Sequence, residues 1–227
     1  MKKVMFFHTT PATLHPMQEA FKRKFPHAKL LTLFDDSILP EVLENANAPT
    51  EFIVRKLMTY GALAQESGAD VFVNMCTTLG IAMRHAQKAL TIPMLTIDGP
   101  MLRQAVRAGK RIGMLITFPP TAGPSRDAAM AFAEEAGKEV LVDVIVVEGA
   151  RVALNNGDKT RHDRLIAEKA KEVAGCYDVL VFAQVTMLEA AECGDLGVPV
   201  MTSVESGLEQ LNEYGIGGDG QNEDYGC

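Results

Sequence analysis

The chain has no long basic run, and its net charge is −7. That argues against nucleic acid or an anionic membrane surface as a partner. No apolar stretch is long enough to span a bilayer. The start, Met-Lys-Lys-Val-Met-Phe-Phe-His, begins like a signal peptide, but its apolar run stops at Phe7 and no cleavage site follows. The four cysteines, Cys76, Cys176, Cys193 and Cys227, are scattered and form no CxxC pair. This excludes a disulfide or zinc framework and predicts reduced thiols in a cytoplasmic protein. His15, His27 and His162 have no acidic or thiol partner at metal-ligand spacing, so no metal is expected. The glycines build neither a P-loop nor a GxGxxG turn, so no nucleotide cofactor is expected either.

With 227 residues, 47% hydrophobic and 22% charged, the chain is of ordinary globular composition. Strand and helix patterns alternate along it, which predicts parallel α/β architecture. Strands are predicted at 3–8, 29–34, 71–73, 92–97, 111–116, 140–147, 178–182 and 198–202. Between them fall a helix carrying Leu14, Met17, Phe21 and Phe25, and a long helix capped by Thr50 with Phe52, Leu57 and Leu63. A third carries Leu79, Ala82, Met83, Ala86 and Leu90, and a fourth is opened by Pro100 and closed by Gly109. Further helices are predicted over 125–136, up to about Ala174, and over 206–214. A Gly-rich acidic tail from Gly215 to Cys227 is predicted to be mobile. Cys176 and Cys193 are expected to be packing residues, and Arg84 with His85 a polar face.

The second half repeats the first. Lys3 to Pro11 overlays Arg111 to Pro119, an offset of 111 − 3 = 108. Asp70-Val-Phe-Val overlays Asp178-Val-Leu-Val, and 178 − 70 is again 108. Leu57 meets Leu165 at the same offset, and Ile92-Pro-Met-Leu-Thr meets Val198-Pro-Val-Met-Thr at 198 − 92 = 106. Near-constant register over several matches predicts an internal duplication: two similar Rossmann- or flavodoxin-like domains with parallel sheets, related by a pseudo-twofold axis.

In parallel sheets, ligands bind beyond the carboxyl ends of the strands. Two facing domains would place four loops round one cleft: His8–Pro11, Asn74–Thr78, Thr117–Thr121 and Gln184–Thr186. The organising stretch is Asp70-Val-Phe-Val-Asn-Met-Cys-Thr-Thr78, where a buried strand delivers a thiol to the turn before a helix. A helix start presents unpaired N–H groups, which lower a thiol's pKa and can hold a carboxylate. Cys76 is therefore the leading candidate for chemistry, against the plainer reading of a buried thiol that packs as a small hydrophobe. Its repeat partner, 76 + 108 = 184, is Gln184.

The Asn74-Met-Cys-Thr-Thr78 motif and the duplicated halves resemble the cofactor-independent aspartate/glutamate (hydantoin) racemase superfamily, which includes maleate isomerase and arylmalonate decarboxylase. The resemblance covers essentially the whole chain. It implies domains of 1–98 plus 206–227 and 99–205, a site between them, no cofactor, and a homodimer as a common assembly. It also implies acid–base chemistry at a carbon next to a carboxylate, for which the family's racemases use two cysteines. Thr9, Thr10, Asn74, Thr77, Thr78, Thr117, Thr121 and Thr186 are the candidates for carboxylate binding, with capping or loop roles as the alternative for each. Ala183-Gln-Val-Thr186 departs from the family's second Cys-Thr, and one thiol excludes a two-thiol racemisation. Three readings stay open. Cys76 acts alone as acid–base or nucleophile in an isomerase or a decarboxylase-type lyase. Another group, with His8 titrating near neutrality as the candidate, replaces the missing thiol. Or the chain binds a small carboxylate without catalysis.

Overall fold

Asp70 and Asp178 show how each half is assembled. In a computed structural model, which describes residues 1–45 and 50–217, the Asp70 carboxylate accepts a hydrogen bond from the Lys3 N–H at 2.8 Å. The Asp178 carboxylate accepts from the Arg111 N–H at 2.9 Å. Each aspartate thus pins the entry of one strand to that of its neighbour. The resulting strands are β1 (Lys3–His8), β2 (Lys29–Phe34), β3 (Val71–Asn74), β4 (Met94–Thr96), β5 (Arg111–Ile116), β6 (Leu141–Val146), β7 (Val179–Phe182) and β8 (Val200–Thr202). They form two all-parallel sheets of order β2-β1-β3-β4 and β6-β5-β7-β8. The register repeats as well: Val4 pairs Val71 in the first sheet and Ile112 pairs Val179 in the second. Val71, Phe72, Val73 and Val179 to Phe182 are fully buried, as expected for central strands of sheets covered on both faces.

The helices are α1 (Leu14–Lys24), α2 (Ile38–Glu44), α3 (Glu51–Glu66), α4 (Gly80–Gln87), α5 (Gly99–Ala108), α6 (Ala122–Glu135), α7 (Ala150–Asn155), α8 (Lys159–Val173) and α9 (Ser203–Glu209). Among the described residues no helix is long and apolar enough to cross a membrane. By contacts the first unit comprises Met1–Cys76, Ile81–Thr96 and the stretch from Gly207, and the second Thr77–Gly80 with Ile97–Ser206. Caps recur between them: the Thr50 hydroxyl accepts from the Ile53 N–H and the Asp158 carboxylate from the Arg161 N–H, with 158 − 50 = 108.

Several elements differ from the sequence expectations. Two short helices, α2 and α7, were not predicted, and α6 begins three residues before Ser125. Phe52 and Leu63 are exposed; α3 instead buries Ile53, Leu57, Gly61 and Ala64. A Cβ on Gly61 would run into Leu90, so glycine lets the helix sit close. Leu165 is only partly buried, and Ile166 takes the inward place that Leu57 holds in the first unit. Cys176 is exposed rather than packed, and Cys193 is half-buried. Beyond Gly217 the acidic tail, including Cys227, lies outside the described residues.

Candidate functional site

At the carboxyl end of β3 the chain turns through Asn74-Met75-Cys76. Asn74 is 1% exposed. Its Oδ1 accepts from the Cys76 N–H at 3.0 Å and its Nδ2 donates to the Cys76 carbonyl at 2.7 Å. One side chain therefore satisfies both backbone groups of the cysteine, fixing a half-buried thiol at the strand end. This is an Asx-type turn, in which a short amide substitutes for backbone partners. Thr77 and Thr78 follow in a turn that packs against α6 and the turn Pro119–Thr121, all within the second unit.

His8 ends β1 and is completely buried, on the same face as Phe6, which packs against Phe21 of α1. Its Nδ1 lies 2.7 Å from the Thr13 Oγ1. The Thr13 hydroxyl donates to the Thr10 carbonyl at 3.2 Å, just as Thr121, 121 − 13 = 108 residues on, donates to the Phe118 carbonyl. The Nδ1 of His8 is thus paired with Thr13, and its Nε2 has no hydrogen-bond partner. Burial pushes the pKa of His8 down to about 4. The expectation of a histidine titrating near neutrality is overturned: desolvation keeps the imidazole uncharged there.

In the second unit, the Gln184 Oε1 accepts from both the N–H and the hydroxyl of Thr117, each at 2.7 Å. The carboxamide opposite Cys76 in the repeat is thus a strut between the ends of β5 and β7. Thr121 and Thr186 are buried nearby in sequence, as is Thr9 in the first unit, while Thr10 is half-buried. The Thr121 hydroxyl proton is spent on Phe118.

Sequence reasoning missed three groups. Asp35, the residue after β2, accepts from the Lys56 ammonium at 2.8 Å, from the Ser37 N–H and hydroxyl, and from the Tyr60 hydroxyl. Burial raises its pKa, but these donors outweigh burial and hold the carboxyl far below the usual carboxylate range. The rule that ligands meet strand ends would have singled out Asp35 once β2 was placed. His162, in the first turn of α8, is fully buried with Nδ1 donating to Asp163 at 2.7 Å. Arg151 of α7 lies with its guanidinium carbon 4.8 Å from the centre of the Phe118 ring. An arginine in a helix the periodicity did not reveal had no sequence signal.

Among the described residues, four buried side-chain polar atoms have no hydrogen-bond partner: His8 Nε2, Ser125 Oγ, His162 Nε2 and Ser203 Oγ. Each lies at the carboxyl end of its own sheet. His8 closes β1, Ser203 follows β8, Ser125 sits in the first turn of the helix after β5, and Lys159 pairs the start of α8 with Glu189 beyond β7. Buried polar groups are normally satisfied, and these four are the exceptions. A groove at the amino ends of the second sheet, lined by Lys110, Lys138, Tyr177 and Asp178 among others, is spent on local bonds. Asp178 takes the Lys110 and Arg111 N–H groups, and Lys138 donates to the carbonyls of Val106 and Arg107. No group of three or more His, Cys, Asp or Glu side chains placed to hold a metal occurs among the described residues.

Comparison with solved structures finds the same architecture in several proteins. An aspartate racemase from Picrophilus torridus superimposes with a TM-score of 0.72 at 13% identity, over 95% of each chain. A glutamate racemase from Aquifex pyrophilus gives 0.63 at 19% identity, over 93% of this chain and 83% of its own. Unliganded arylmalonate decarboxylase gives 0.62 at 19% identity, over 100% and 98%. At such identities the likeness is one of fold. Comparison with curated protein sequences finds no match. The sequence profile that describes Asp/Glu/Hydantoin racemase matches residues 3–211, and the chain belongs to that family.

Proposed function

We propose that this protein is a cofactor-independent enzyme of the racemase/isomerase superfamily, acting at a carbon next to a carboxylate with Cys76 as its acid–base group or nucleophile. The observation that carries this reading is the Asn74 clamp, which holds a half-buried thiol at the carboxyl end of β3. Carbon acids are weak, so removal of a proton beside a carboxylate requires stabilisation of the charge that develops on its oxygens. Thr9, Thr10, Thr77, Thr78 and Thr186, with the backbone N–H groups of their turns, are the donors we assign to that task, since the hydroxyl protons of Thr117 and Thr121 are taken by Gln184 and Phe118. The repeated sheets, caps and aspartates support descent from an internal duplication in which one thiol position became Gln184.

A second reading is favoured by Gln184 itself. A carboxamide does not exchange protons at neutral pH, and its oxygen is taken up by Thr117. Neutral His8, with a pKa near 4, is too weak a base to replace a thiolate. A single thiol suits chemistry that delivers one proton to one face, as in a decarboxylase-type lyase acting on a malonate-like acid. Proton NMR in D₂O distinguishes the readings. The protein and Cys76→Ala are incubated with aspartate, glutamate, hydantoins, maleate and aryl- or alkylmalonates. Deuterium entering next to a carboxylate only with the intact thiol is the expected result, and the product formed separates isomerase from lyase. No exchange with any acid, alongside thermal stabilisation of both proteins by carboxylates, would leave a non-catalytic carboxylate-binding protein.

A further inference from the structure

An open sheet leaves one side of each outer strand unpaired, and folded proteins blunt such edges with short strands, proline or charge. Three of the four edges in this chain are blunted. Strands β4 and β8 have three residues apiece and follow Pro93 and Pro199. Strand β6 carries Asp143 within its run. Strand β2 has none of these devices. It is six residues long, Lys-Leu-Leu-Thr-Leu-Phe, with no charge after Lys29 and no proline, and none of its residues is buried. It pairs with β1 on one side and, among the described residues, with no strand on the other.

The ladder fixes which groups face outward. The Lys29 N–H donates to the Lys2 carbonyl at 2.8 Å and the Asp35 N–H to the His8 carbonyl at 3.0 Å, both towards β1. The N–H and C=O of a strand residue point the same way, and the direction alternates along the strand. Leu31 and Leu33 therefore also face β1, and Leu30, Thr32 and Phe34 turn their backbone groups to the free edge. Thr32 and Phe34 are exposed. Exposed Phe52 lies beside the carboxyl end, because the Lys56 ammonium is 5.1 Å from its ring centre and 2.8 Å from the Asp35 carboxylate.

The edge is complementary to itself. Exposed Lys29 stands at one end and exposed Asp36 just past the other. A copy related by a twofold axis at Thr32 runs antiparallel, and 29 + 35 = 30 + 34 = 32 + 32 sets the partners. Thr32 meets Thr32, Leu30 meets Phe34, and Lys29 meets the acidic Asp35-Asp36 end. All three outward residues fall in hydrogen-bonded pairs, which gives about six backbone bonds, and Leu30 with Phe34 makes an apolar cross-strand pair at each end. Such a contact uses the same patch twice and closes on itself. We propose that the free edge of β2 is the surface on which the first unit takes a second copy of this chain, joining two four-stranded sheets into one continuous sheet.

Sedimentation equilibrium of the full chain under reducing conditions tests this. The expected mass is 2 × 24.6 = 49.2 kDa, against 24.6 kDa for the monomer. Thr32→Pro removes an N–H that only the second copy uses, and should weaken the dimer about tenfold or more. Circular dichroism melts confirm folding. Thr32→Lys, which sets two ammonium groups opposite each other, serves if the proline variant does not fold. Lys29→Glu and Asp36→Lys should each weaken the dimer, and the two together should restore it in part. A chain that stays at 24.6 kDa up to about 100 μM, the weak end of specific association, overturns the proposal and leaves the edge to a strand of a different partner. A dimer as tight in both Thr32 variants as in the parent overturns it by placing the contact on another face. A double reversal no tighter than either single one overturns it as well. None of these outcomes depends on the role of Cys76.

Discussion

Replacing Gln184 with alanine tests whether this residue is a strut, as its geometry implies, or a participant in proton transfer. Two donors of Thr117 converge on its carbonyl oxygen at 2.7 Å, and Thr117 is only 2% exposed. Without that oxygen the buried Thr117 amide has no acceptor, at a cost of about 1–3 kcal/mol, and the lost hydroxyl bond adds about 0.5–1.5 kcal/mol. A total of about 2–4 kcal/mol corresponds to a fall in melting temperature of about 4–16 °C for a chain of this size. Urea melts give the free energy. Amide exchange at Thr117 gives the local effect, which should accelerate on the order of 100-fold as that N–H loses its partner. Gln184→Glu, which keeps both acceptances, should retain most of the stability. In a Thr117→Val background the alanine substitution should cost about 1 kcal/mol less, since one of the two bonds is already gone. Unchanged stability together with an unchanged Thr117 exchange rate would refute the strut.

Four other outcomes are expected. Iodoacetamide should modify both Cys76 and the exposed Cys176, and a bound carboxylate should protect Cys76 alone; peptide mass spectrometry with Cys176 as internal standard reads the difference, and equal protection would count against a ligand at Cys76. Asn74→Ala, which strips both backbone partners from Cys76, should lower stability by about 1–3 kcal/mol and alter the alkylation rate of Cys76 but not of Cys176. Burial holds His8 near 4, against about 6.5 in the unfolded chain, so the unfolded state binds more protons between those values. Stability should be full above about pH 6.5 and fall by up to about 3 kcal/mol as pH drops towards 4, with the depressed pKa of His162 acting in the same sense; His8→Asn, which keeps a donor for Thr13, should lose less, and equal losses in urea melts would refute this. Lys56→Met should destabilise the first unit by about 1–3 kcal/mol by leaving Asp35 without its cation, and adding Asp35→Asn should recover part of that loss.

The strands were legible because buried parallel strands are short runs of Val, Ile, Leu and Phe between clear breaks. The edges of β1, β2 and β5 fall where the apolar runs begin and end. The short helices were not legible. The six residues of α7 show no helical period, and its start depends on Gly149 at a left-handed φ of 74°. Likewise α2 contains Pro40 and spans only two turns. The inward face of α3 was misjudged because its bulky residues, Phe52 and Leu63, lie outside while Gly61 and Ala64 make the close approach. Hydrophobicity identifies which residues prefer burial, but the space under a helix decides which of them fit.

For the site, the repeat itself was the informative signal, through the places where it breaks. Where the halves agree, the residues build scaffold: Asp70 with Asp178 pins strands, Thr13 with Thr121 closes the first loop, and Thr50 with Asp158 caps a helix. Where they disagree, the residues have no structural duty common to both halves. Cys76 stands against Gln184, Asn74 against Phe182, His8 against Ile116, and Leu39 against Arg151. The first three contrasts follow from the sequence and the offset of 108; the last needed the structure, because loops of different length shift the offset to 141 − 29 = 112 after β2 and β6.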